Sequence, residues 1–94
     1  MENKPEDFTP PEPDFRFFIT TLAIQASIAL GQMPNPQTNK TEESLEQARF
    51  IIDTLDMLKV KTQGNLSAEE DALIDNVLYE LRTVYLSKSK EEKR

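Results

Sequence analysis

The sequence predicts an all-α protein: a small three-helix domain built as a helix, a long Pro-containing connector and a helical hairpin, behind a disordered acidic N-terminal tail. Three observations carry this expectation. Apolar residues recur at three- and four-residue spacing in three separate runs, no run alternates with period two, and capping residues bracket the runs.

Residues 1–13 hold four prolines, four carboxylates and one lysine. Such a segment buries too little apolar surface to offset the entropy of ordering it, so it reads as a disordered tail in which Phe8 is the one aromatic residue. The helical domain is expected over 14–88. Its first helix, about 15–30, opens at Asp14, an N-cap directly after Pro13, and closes at Gly31, which suits the left-handed C′ position. The second, about 42–63, starts near Thr41 with Glu42 and Glu43 favourably placed for the helix dipole, and stops at Gly64. The third, about 68–87, opens on "SAEE", where Ser67 and Glu70 form a capping box. Residues 89–94 read as a charged C-terminal tail whose basic groups suit a helix end.

The connectors differ in kind. "GNL" between the second and third helices demands a tight antiparallel hairpin. Between the first and second lies "LGQMPNPQTNKT", where Pro34 and Pro36 favour extended geometry. Residues 32–40 span roughly 28 Å at about 3.1 Å per residue in that geometry. The connector is therefore expected to run back along the first helix, roughly 24 Å long, and to allow a parallel or crossed arrangement. Met33, Pro34, Asn35 and Pro36 are its candidate ledge for a partner protein.

At 100° per residue each helix carries two apolar lines. The main face of the first is Phe15, Phe18, Ile19, Leu22, Ala26, Ala29 and Leu30; Phe17, Ile24 and Ile28 lie nearly opposite. In the second, Leu45, Ala48, Ile51, Ile52, Leu55 and Leu58 face one way, while Phe50 and Met57 face another. In the third the main face is Leu73, Ile74, Val77, Leu78, Leu81, Val84 and Tyr85, with Ala72, Tyr79 and Leu86 as the second line. One small core buries one face per helix, so a second line calls for a second thing to pack against. The expected assembly is an isologous homodimer with the first helix near its centre and Phe17, Ile24, Ile28, Phe50, Met57, Tyr79 and Leu86 as interface residues.

Composition narrows the chemistry. The chain has no cysteine and no histidine, so disulfides, thiolate and imidazole metal sites, and Cys–His or Ser–His catalysis are absent. A net charge of −6 argues against a nucleic-acid partner. The acidic start is unlike an export signal, and the first helix is too short and polar to cross a membrane, so a cytoplasmic location is expected. Glu69, Glu70, Asp71 and Asp75 crowd one segment, but in the first turns of a helix they read as dipole-compensating surface charges. No catalytic, cofactor-binding or metal-ligating residue stands out. Tyr79, Tyr85 and Arg82 fit polar anchors, and a pocket joining Arg82, Tyr79 and Asp53 is what an enzyme or small-ligand site would need.

"LGQMPNP", Ile52–Asp53, Met57–Leu58, "KTQGNL" and "LYELRTVY" resemble an uncharacterised bacterial family, domain of unknown function 1844, over about residues 15–85. The resemblance implies a small all-helical bacterial cytoplasmic domain and brings no activity with it. One departure is Asn39, where the family pattern leads one to expect glycine. Two function classes follow: a non-enzymatic interaction or assembly module with an unidentified protein partner, or a ligand or enzymatic site of carboxylates and tyrosines between protomers.

Overall fold

The computed structural model describes residues 10–92, and it is all helical apart from its connectors. Residues 10–13 are exposed and irregular. The rest of the proposed tail, Phe8 included, lies outside the described residues.

Helix α1 spans Phe15–Ala29. The Asp14 carboxylate accepts from the Arg16 amide at 2.9 Å, one of the donors a helix start leaves orphaned. At the other end Gly31 takes φ +78°. Its amide donates to the Ile28 carbonyl at 3.0 Å and the Gln32 amide reaches Ser27 at 2.9 Å, the paired bonds of a Schellman motif. A side chain at that φ would be strained, which is why the helix stops at a glycine.

Helix α2 spans Leu45–Lys61. Its start corrects the sequence expectation: Ser44, not a residue near Thr41, is the N-cap, with its Oγ accepting from the Gln47 amide at 3.3 Å. Glu42 and Glu43 therefore precede the helix. It ends two residues short of the expected position, Thr62 capping and Gly64 turning at φ +87°.

Helix α3 spans Ala68–Glu92. The capping box forms in both directions, Ser67 amide to Glu70 Oε1 at 2.8 Å and Glu70 amide to Ser67 Oγ at 3.1 Å. The helix passes the expected end near residue 87 and takes in most of the segment read as a charged tail. Lys88 is one reason: its ammonium reaches Glu43 Oε2 at 3.3 Å, anchoring the last turns to the connector.

The connector behaves differently from expectation. It does not run back along α1; it closes on itself. Leu30 and Glu43 form an antiparallel bridge, and the Ser44 amide donates to the Ala29 carbonyl at 2.8 Å. A second bridge, Asn35 with Lys40, closes the tip, where Asn39 takes φ +59°. The prolines supply bends rather than reach, because the polar residues around them find partners within the loop. The Asn35 side chain, for example, accepts from the Gln37 amide at 2.9 Å.

With its ends joined, α2 starts where α1 stops. Arg16 pairs with Glu69 at 3.2 Å, so the starts of α1 and α3 are neighbours. Asp56 with Arg82 at 2.8 Å, and Lys59 with Asp75, zip the antiparallel hairpin of α2 and α3. The result is an up-down-up bundle in which all three helix pairs touch. Its core is Ile19, Ala26, Ala29 and Leu30 against Ala48, Ile51, Ile52 and Leu55, closed by Ile74, Leu78 and Leu81. Leu66, in the hairpin turn, also packs on it. Phe18, assigned to the main face, is instead 47% exposed, because it flanks α1 where the core is already filled by Phe15, Ile19 and Leu22.

Candidate interaction surface

The residues singled out as a second line are, with one exception, on the surface. Phe17, Phe50 and Tyr79 are 63%, 70% and 73% exposed, and Ile24, Met57 and Leu86 are exposed as well. Ile28 is the exception. It is half-buried in a cleft of ≈ 450 Å³ beneath the connector, together with Asn35 and Pro36. Met33 and Pro34 are exposed outside it.

A regularity appears once the helices are compared. The most exposed aromatic of each helix is followed four residues later by threonine and seven residues later by an apolar chain: Phe17–Thr21–Ile24, Phe50–Thr54–Met57, Tyr79–Thr83–Leu86. Each threonine hydroxyl donates to the carbonyl of its aromatic, at 2.9, 2.8 and 2.8 Å respectively. The hydroxyls are thus tied to the helix backbone, and each stripe is an uncharged surface about two turns long. The seven-residue spacing is legible in the sequence; the threonine between each pair gives no periodic signal of its own, since its role depends on the hydroxyl bonding back to the helix carbonyl.

The three stripes do not form one surface. Each is turned away from the residues that its helix sends into the shared core: Ile19 and Ala26 on α1, Ala48 and Leu55 on α2, Ile74 and Leu81 on α3. Helices grouped round one core send such stripes outward in different directions. The seven candidate interface residues therefore belong to at least three faces.

α1 differs from its neighbours in charge. Arg16 is the one charged residue between Phe15 and Ala29, and α1 has neither an acid in its first turn nor a base in its last. The family model described as domain of unknown function (DUF1844) matches residues 12–87, which take in α1, α2, the connector and most of α3. The chain belongs to this family. No curated protein and no solved structure matches it significantly. All three stripes and the closed connector thus lie inside the DUF1844 domain.

On the DUF1844 hairpin the ionisable candidates sit around Arg82. Tyr79 and Arg82 line a groove of ≈ 400 Å³ with Asp56, Lys59 and Asp75. Asp53 lines a neighbouring groove of ≈ 290 Å³ with Arg49, Ile52 and Tyr85, and Arg82 and Leu86 border both. Tyr79 and Asp53 are thus on either side of the guanidinium rather than in one pocket. Arg82 is held by Asp56, and Arg49 stands 3.7 Å from Asp53. Asp71 and Asp75 do not act as a pair, because Asp75 is taken by Lys59. Among the described residues no helix is long and apolar enough to cross a membrane.

Proposed function

We propose that this DUF1844 domain is a non-enzymatic, cytoplasmic assembly module, a helical homodimer in which α1 lies near the two-fold axis. The supporting observation is α1 itself. A helix with a second apolar line opposite its core face calls for a second packing partner, and here Phe17 and Ile24 of that line face solvent. A second copy of α1 supplies that partner without bringing charge against charge in a chain of net charge −6. A ligand or enzymatic site around Arg82 is the weaker alternative, since the guanidinium is already paired and the chain has no histidine or cysteine to act as base or nucleophile.

Sedimentation equilibrium tests the proposal. The wild type should have a mass of at least twice 10.8 kDa at micromolar concentration, and Ile24→Glu should halve it while keeping its helical circular dichroism. A wild-type monomer, or an Ile24→Glu variant of unchanged mass, would overturn it.

A further inference from the structure

One contact through α1 leaves the α3 stripe uncovered, and its surroundings indicate what covers it. Ala72, Tyr79 and Leu86 are exposed and seven residues apart, the spacing that keeps side chains facing a second helix when two helices wind together. α3 is also the longest helix, at 25 residues against 15 and 17, so its end extends past what its own bundle can cover.

Charge along α3 sets direction and register. Glu69, Glu70, Asp71 and Asp75 fill its start with no base among them, and its bases Arg82, Lys88 and Lys90 all come later, interspersed with Glu80, Glu91 and Glu92. A two-fold axis through Tyr79 pairs two copies of α3 antiparallel. It sets Ala72 of one copy against Leu86 of the other, a small side chain against a large one. Within a residue of register it also sets Asp75 against Arg82 and Glu69 against Lys90. A parallel pair would stack acid on acid. Asp75 and Arg82 flank the stripe on the same side, and in an antiparallel two-fold pair like flanks meet. Both side chains are about half exposed although each already has a partner on α2. A guanidinium has five N–H donors and can bridge a second carboxylate.

We propose that α3 forms a second isologous contact, antiparallel and centred on Tyr79, with another copy of this chain. It is separate from the α1 contact. Where both operate, each chain has two isologous contacts and the assembly grows beyond a dimer.

The absence of cysteine makes the geometry directly readable. Single-cysteine variants are oxidised at low micromolar concentration and the linked chains counted on denaturing gels. Tyr79→Cys should link to itself at least about ten-fold faster than Lys61→Cys, an exposed control on α2, because contact raises the local thiol concentration. Leu86→Cys alone should link no faster than that control, while a mixture of Leu86→Cys and Ala72→Cys chains should form the mixed dimer. The Tyr79→Cys link should persist in an Ile24→Glu background, so that failure of the α1 contact is read separately. Linking at position 79 no faster than the control overturns the proposal. Preferential 86–86 and 72–72 linking overturns it equally, since it indicates a parallel pair.

Discussion

The Ser44 amide donates to the Ala29 carbonyl at 2.8 Å, so the connector begins and ends at one point on the bundle. That bond turns a segment able to span a helix into a closed loop. It also decides the direction of α2, and with it which residues α2 and α3 present to each other across the hairpin.

Asn39 should tolerate glycine and resist alanine. Its φ of +59° lies in the left-handed region, which asparagine enters more readily than other side chains and which costs alanine about 1–2 kcal/mol. Urea unfolding should show Asn39→Ala less stable by about 1 kcal/mol and Asn39→Gly within about 0.5 kcal/mol of wild type. Equal losses for both would mean that the loop is held by the asparagine side chain and not by its backbone.

Ser67→Ala removes one half of a reciprocal cap and leaves the Glu70 amide without its acceptor. A loss of about 1 kcal/mol is expected. Hydrogen exchange should locate the weakening in the first turns of α3. Uniform weakening across all three helices would contradict a local cap.

Leu55 and Phe50 sit five residues apart on α2, one at 0% and the other at 70% exposure. Leu55→Ala should cost about 2–5 kcal/mol, enough to unfold a domain of this size, by opening a cavity in the core. Phe50→Ala should change the stability of an Ile24→Glu background, in which the α1 contact is broken, by less than about 1 kcal/mol. A large loss for Phe50→Ala there would show that this ring packs within its own chain.

Much of the architecture is legible because it is local. The Asp14 cap, the Gly31 stop and the Ser67–Glu70 box are decided by residues within a few positions of each other, and they form as their spacing implies. The core faces follow from helical period alone, Phe18 apart. What misleads is what depends on distant partners. Thr41 and Glu42 resemble a helix start, but the Leu30–Glu43 bridge draws those residues into the loop and passes the cap to Ser44. Lys88 lies just past the expected end of the third helix, and it is Glu43 of the distant connector that pairs with it and holds the last turns. The second apolar lines are visible from their spacing. Their divergence is not, since it depends on how three helices close round one core.

The loop base has a further consequence. Two backbone bridges, Leu30 with Glu43 and Asn35 with Lys40, fasten the base of the tip at residues 36–39 independently of its sequence. A tip fastened in this way is interchangeable: foreign sequence spliced between Asn35 and Lys40 inherits a ready-made frame. Because Asn35 and Pro36 also line the cleft that holds Ile28, whatever is placed in the tip sits at the mouth of that cleft.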